Sequence, residues 1–458
     1  MTVIKGAATE LGTERIRKLL VQYSVPAIIA MTASSLYNMV DSIFIGLGVG
    51  PMAISGLALT FPLMNLAAAF GSLVGVGAAT LISMRLGQKD YASAQYILGN
   101  VVVLNFIIGL GFGLVTLLFL DPILYFFGAS EATIGYARDY MSIILMGNVV
   151  THMYLGLNSV LRSAGHPRKS MYATINTVVI NTILDPLFIY GFGWGIRGAA
   201  IATVLAQVIS LVWQFRLLSD SSELLHFHRG IYRPRKRIVK EILAIGMSPF
   251  LMNVTACFIV ILINKGLKEH GGDLMIGAYG IVNRLAFFFV MIVMGLNQGM
   301  QPIAGYNFGA RQYDRLMHVL KLTVIGATCV TSLGFLLGEL LPHWAVAVFT
   351  TDEELIRLAA EGMRIVFLCF PIIGFQMVTT NFFQSIGKAK ISIFLSLTRQ
   401  LLYLLPCLLL FPQWWGLKGV WISMPVSDAL AFVTAVISLM IYIKKVSKEH
   451  PIANKVAE

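Results

Sequence analysis

Residues 180–200 read INTILDPLFIYGFGWGIRGAA, and Asp185, followed directly by Pro186, is the one carboxylate in this otherwise apolar stretch. Stretches of the same apolar character recur from end to end of the 458 residues, 57% of which are hydrophobic and 12% charged, with mean hydropathy +0.78. A soluble protein of this length exposes far more charge. Each run is about 20 residues or longer, enough to cross a bilayer as a helix. The runs are continuous rather than alternating, which excludes a membrane barrel. The first begins near Leu19, continues past Ile45 and lacks a small-residue cleavage site, so it is read as helix 1 rather than a removable signal peptide.

Twelve spans fit, at 19–45, 52–84, 92–120, 133–160, 170–192, 196–217, 240–266, 273–305, 314–341, 355–384, 390–411 and 418–443. With this division, 25 of the 34 Lys and Arg fall in the tails and the even-numbered connections. Such an asymmetry predicts that both termini are cytoplasmic, in the inner (cell) membrane. The net charge of +12 is therefore topological, and no nucleic-acid partner is expected. The basic run RPRKR at 233–237 reads as a solvated linker between two halves.

The halves repeat. Pro26 in SVPAII matches Pro249 in MSPFLM, LGQKDYASA (86–94) matches FGARQYDRL (308–316), LRSAGHPRKS (161–170) matches FQSIGKAKIS (383–392), and WGIRG (194–198) matches WGLKG (415–419). The offsets run from 221 to 223 in unchanged order. Six spans per half is an even number, so the halves share one orientation and a pseudo-twofold along the membrane normal. The expected fold is all-α: two six-helix bundles, 1–217 and 240–458, joined by 218–239 and facing each other across a central cleft. Rocking of such bundles is a transporter architecture.

Depth then groups the acids. Asp185 lies 16 residues from Lys169, or ~24 Å, and Asp41 lies 23 residues from Lys18, or ~35 Å, at the helical rise. Both fall in the outer half of the membrane. Asn181 is one turn before Asp185 on the same face, and Thr203 lies six residues beyond Arg197 at a similar level. The two spans that carry these acids, 19–45 and 170–192, hold no Lys or Arg to pair with them. Two intramembrane carboxylates, costly when unpaired, should hold a proton or bind a cation. Carboxylate, amide and hydroxyl oxygens suit H⁺ or Na⁺ rather than a soft transition metal. A simple cap on the break at Pro186 is the plainer alternative. The C-terminal half instead carries Arg284, Arg399 and Asp428 near mid-membrane, a net-positive set expected to be buried and internally paired, structural or gating in role.

Other motifs point to no further chemistry. Cys257, Cys329, Cys369 and Cys407 stand singly, without metal or disulfide spacing. His152 reads as a hydrogen-bonded core residue, and His226 and His228 as exposed linker residues. The formal GxGxxG at 193–198 lies in a turn between two membrane helices rather than after a strand, so the dinucleotide reading fails. Neither HExxH nor GxSxG occurs, which argues against a membrane enzyme.

INTILDPLFIYGFGWGIRGAAIAT at 180–203, NMVDSIFIG at 38–46 and SMRLGQKDYASA at 83–94 together resemble the multidrug and toxic compound extrusion (MATE) family, across essentially the whole chain. The resemblance implies twelve helices in two lobes, no organic cofactor, and export of amphipathic drugs against entry of H⁺ or Na⁺. It implies a coupling site on Asp41, Asn181, Asp185 and Thr203, the four residues that depth brings together, and a helix-1 bend at Pro26. A missing backbone donor makes that bend cheap. Another branch uses acids on helices 7 and 10, which are absent between Pro249 and Asn264 and between Arg364 and Lys388. Met31, Tyr37, Met64 and Asn158 are candidate lining of an adaptable drug cavity, since thioethers and aromatics accommodate varied flat compounds. The alternative is a flippase for lipid-linked oligosaccharides. Its anionic pyrophosphate cargo is disfavoured by the acids of the N-terminal half. The protein is expected to function as a monomer.

Overall fold

The computed structural model describes residues 7–449, and among these every regular element is helical. Ten helices are long and apolar enough to cross a membrane singly. Two further pairs qualify together, Ile134–Met146 with Asn148–Ser163, bent by 57°, and Glu353–Phe367 with Phe370–Ser385, bent by 53°. With each pair taken as one span there are twelve: α1 (Ile16–Gly48), α2 (Pro51–Gly87), α3 (Tyr91–Leu118), α4 (the first bent pair), α5 (Pro167–Gly191), α6 (Gly195–Leu218), α7 (Lys236–Gly271), α8 (Asp273–Gly309), α9 (Tyr313–Leu340), α10 (the second bent pair), α11 (Ala389–Trp415) and α12 (Leu417–Glu449).

The repeat seen in the sequence recurs in the backbone. Short helices follow α3 at Leu120–Phe126 and α9 at Pro342–Ala347. Among the described residues, Lys89 and Arg311, 222 positions apart, are the non-glycine residues with positive φ, at 60° and 58°. The left-handed conformation is costly with a Cβ. Its recurrence at the same turn in both halves shows one loop geometry used twice.

Two compact units divide the chain. One holds Ile29–Phe250 together with the residues up to Glu14; the other holds Arg15–Ile28 and the residues from Leu251 onward. Each unit therefore includes the opening segment of a helix that begins the other repeat. Glycines explain how. In the first unit, a Cβ on Gly77 of α2 would strike the Ile242 carbonyl of α7, and one on Gly246 of α7 would strike the Leu73 backbone. In the second unit, Gly299 of α8 meets Ser24 of α1, and Gly295 meets Ile28. Gly77 and Gly299 are repeat equivalents, as are Ser24 and Gly246. Small residues allow this backbone approach between helices in a bilayer. Pro26 and Pro249 lie within two residues of where α1 and α7 pass from one unit to the other.

The first unit's core gathers Ile45, Leu57, Leu63, Tyr140, Met141 and Ile189. The second unit's core centres on Phe367, Phe370, Met363, Tyr279 and Trp421, with Phe367 and Phe370 stacked 4.2 Å apart across the bend of α10.

The basic run at 233–237 is solvent-facing, and the linker that carries it is also anchored. Arg233, Arg235 and Arg237 are exposed, yet Ile231 is buried against Gly99 of α3. Asn100 of α3 donates to the Arg233 carbonyl at 3.3 Å and accepts from the Arg235 amide at 3.1 Å, while the Arg235 guanidinium lies 3.3 Å over the Tyr96 ring. Cation–π stacking and a backbone-reading asparagine hold the run in place without neutralising it.

Candidate functional site

α5 runs as an α-helix to Pro186 and then widens into a π turn over Leu187–Gly191, closed by the Phe192 amide on the Leu187 carbonyl at 2.9 Å. Pro186 has no N–H to donate, which loosens the regular ladder at this point. The wider turn brings Phe188 against α6, where a Cβ at Gly198 would overlap the Phe188 carbonyl. Gly193 and Gly195, with φ of 68° and 58°, complete the tight connection. The three glycines of the formal GxGxxG thus have a packing and turn role.

This junction holds Asp185 fully buried, with Asn181 one turn earlier donating from Nδ2 to Asp185 Oδ2 at 3.1 Å. Asp41 of α1, 6% exposed, faces Asp185 closely enough for the two carboxyls to interact. Thr203 of α6 donates to the Ala199 carbonyl at 3.1 Å, so at 3.0 Å from Tyr37 its oxygen accepts the Tyr37 hydroxyl proton. Tyr140 of α4, buried, also lies beside Thr203 and near both acids. All six residues belong to the first compact unit. Asp41, Asn181, Asp185 and Thr203, grouped by depth in the sequence, are thus brought together, and Tyr37 joins them rather than standing apart.

Three buried oxygens in the cluster, Asp41 Oδ1, Asn181 Oδ1 and Asp185 Oδ1, accept no hydrogen bond. Among the described residues no Lys or Arg pairs with either acid. A carboxylate is acceptor-only when ionised, so two facing carboxyls can hydrogen-bond each other only if one of them holds a proton. Removing that proton leaves a set of hard oxygens that fits a small hard cation. Tyr140 carries no charge and escaped the sequence reading. Its position about 9 Å into α4, against about 12 Å into α6 for Thr203, was the available signal.

The other candidates are placed as follows. Pro26 lies inside α1, and Met31 is half-buried on the same helix. Met64 packs on the first unit's core, and its sulfur accepts from Thr60 at 3.7 Å. Asn158 donates to Thr174 at 3.0 Å and its carbonyl accepts from Ser170 at 3.1 Å, a tie between α4 and α5. His152 is a buried core residue bonded through Nε2 to the Ala67 carbonyl at 2.9 Å. In the second unit Arg399 Nε donates to the buried Asp428 Oδ1 at 2.7 Å. Arg284, expected to be buried with them, is exposed on α8, because depth along a helix does not specify which face a residue takes.

A family model described as MatE matches residues 26–187 and 245–409. The chain is 28% identical over 426 residues to the multidrug export protein MepA of Staphylococcus aureus (strain MSSA476), covering 93% of both chains. It is 28% identical over 413 residues to its counterpart in Staphylococcus haemolyticus (strain JCSC1435), covering 90% of this chain and 91% of that one. Among solved structures, the multidrug transporter DinF-BH in complex with R6G is 37% identical, with TM-score 0.87 over 94% of this chain and 96% of that one. A MATE transporter in the bent conformation shares the fold at TM-score 0.92 and 23% identity, over 97% of this chain and 99% of that one.

Proposed function

Because the chain belongs to the MatE family, we propose that it exports amphipathic organic compounds across the cell membrane, coupled to entry of H⁺ or Na⁺ by alternating access. The observation that carries this reading is the Asp41–Asp185 pair, buried with Asn181 beside half-buried Thr203, with three acceptor oxygens left without donors. Such a cluster has two stable forms. In one, a proton bridges the carboxyls; in the other, both are ionised and a cation takes the proton's place. Exchange between the forms needs no cofactor.

Coupling requires the cation to bind two conformations with different affinity, and it is then reciprocal with substrate affinity. Tyr37 and Asp41 lie four residues apart on α1, so a change at the acid pair reaches that helix directly. Pro26 offers the place for α1 to bend, and Pro249 offers the matching place in α7. The charge asymmetry of the connections supports cytoplasmic termini. We take the two lobes, 1–217 and 240–458, to face a central cleft in which Met31 supplies lining, and the protein to act as a monomer. The export activity carried in the name of MepA and the R6G bound to DinF-BH support a drug-like cargo.

The decisive measurement is dye efflux from proteoliposomes under a pH gradient and a Na⁺ gradient imposed separately. Efflux driven by at least one gradient, and abolished by its collapse, is the expected result. Export indifferent to both would overturn the reading.

A further inference from the structure

Away from the acid cluster, the outer sides of α5 and α6 enclose an open trough of about 360 Å³, walled by Ile180, Val208, Ile209, Val212 and Trp213 and ended by Arg216. Its setting is apolar and exposed, flanked by Val179 and Ile183 on α5. Arg216 stands about 3 Å from the linker end of α6, while Ile180 stands about 20 Å from the start of α5, counted at the helical rise. The trough therefore runs from the membrane surface to about the depth of one leaflet, half of a ~30 Å hydrocarbon core.

Of its three polar lining residues, Ser210 accepts from Thr177 at 2.7 Å and the other two are unmet. Arg216 is exposed, and its guanidinium makes no ion pair or hydrogen bond among the described residues. Nearby acids are engaged elsewhere: Asp220 accepts from Ser222, and Glu223 pairs with His166 and Lys169. Arg168, also exposed, adds a second positive charge at the start of α5. Midway along the trough the Asn176 amide, exposed at hydrocarbon depth, likewise has no partner among the described residues. An amide in hydrocarbon without a hydrogen bond is costly.

We propose that this trough is a binding site for an anionic phospholipid of the linker-side leaflet, its phosphate on Arg216 and one acyl chain along Ile180, Val208, Ile209 and Val212. A free cation beside an apolar groove one leaflet deep matches a lipid that presents phosphate and hydrocarbon together. Basic pockets between membrane helices recognise anionic headgroups in this way. The Asn176 amide supplies a donor for the lipid's ester oxygens. The site requires only that these helices cross a bilayer, and it stands whether or not the acid pair couples transport.

The test is native mass spectrometry of the full chain in detergent, titrated with phosphatidylglycerol or phosphatidylcholine. Phosphatidylglycerol should be retained preferentially. Arg216→Gln should cut that preference about fivefold, Arg216→Lys should keep most of it, and Arg237→Gln, at an exposed cation of α7 paired with Glu241, should leave it unchanged. Ile209→Trp, which fills the trough, should lower retention of both lipids. Equal retention of the two lipids by the native chain would overturn the proposal. So would an Arg237→Gln effect as large as that of Arg216→Gln.

Discussion

Asp428 Oδ1 receives the Nε proton of Arg399 at 2.7 Å, joining α12 to the π-helical segment Thr398–Leu404 of α11. Arg399 keeps 34% of its side chain exposed while Asp428 keeps 5%. The acid is thus the more dependent partner, since a buried charge without its counter-charge is expensive.

We expect Asp428→Asn to lower stability by about 1.5–3 kcal/mol, the cost of a lost hydrogen bond to a charged group. The double variant Arg399→Leu/Asp428→Leu should recover part of that loss, because no unpaired charge remains. Thermal unfolding of the purified proteins checks both. Ion dependence of export should survive in Asp428→Asn, which separates this pair from the acids of the first unit.

Neutralising Asp41 or Asp185 should do the reverse. Asp41→Asn and Asp185→Asn are expected to fold and to bind substrate, yet to drop gradient-driven efflux to the level of protein-free vesicles. Dye binding and efflux measured on the same preparations settle the matter. Near-native efflux by both variants would show that coupling lies elsewhere.

Tyr140 gives a graded version of the same test. Tyr140→Phe removes one hydroxyl from the buried set around Thr203 and keeps the ring. A net hydrogen bond contributes about 0.5–1.5 kcal/mol, so half-saturation for the driving ion should rise roughly two- to tenfold. Maximal efflux at saturating gradient should change little. A Tyr140→Phe transporter indistinguishable from the parent across the ion titration would remove this residue from the site.

Outside the membrane, His166 and Glu223 pair at 2.9 Å, and Lys169 donates to the same carboxylate at 3.1 Å. Burial holds His166 below its ordinary 6.5, against the upward pull of Glu223. Burial also pushes Glu223 upward, but Lys169 and His166 outweigh it and hold the acid below 4.5. In both cases the unfolded chain binds more protons, so stability falls with pH: first below 6.5 through His166, then below 4.5 through Glu223. His166→Gln should flatten the first part of this decline in a pH series of unfolding temperatures. A profile unchanged between pH 7 and 5 in the parent would contradict the assignment.

The glycine contacts allow a paired test. At Gly246 a methyl group meets the Leu73 backbone, which cannot yield as a side chain can, whereas nothing lies within 4 Å of the corresponding position on Gly111. Gly246→Ala should cost about 1–3 kcal/mol or more through overpacking. Gly111→Ala should be neutral or stabilising, as helix propensity favours alanine. Unfolding curves of the two variants should therefore move in different directions.

The fold was readable because apolar runs and a 222-residue offset are properties of the chain itself, independent of packing. Asp41, Asn181, Asp185 and Thr203 could be grouped because their level along a helix follows from residue counting. Counting leaves the helix face open, and so it misgrouped the exposed Arg284 with Arg399 and Asp428. For Tyr140 it gives a level close to that of Thr203 but not the face of α4 that turns it toward the cluster before the bend at Gly147. That bend has no proline of its own; a Cβ on Gly147 would meet Val204, so the close approach of α6 is visible only in three dimensions. The anchoring of the linker was not legible for a similar reason: Tyr96 and Asn100, which hold it, lie more than 130 positions earlier.

The exchange of helix beginnings between the two units bears on how the protein is made. A ribosome that has released the first six helices has not yet delivered residues 236–250, so the first unit lacks part of its packed wall until the seventh helix enters the bilayer. Arg15–Ile28, synthesised almost first, must wait for the eighth helix before Gly295 and Gly299 are present to receive it. Maturation is thereby tied to late translation. A chain cut at the linker leaves both fragments incomplete, and only their joint expression supplies each with its missing piece.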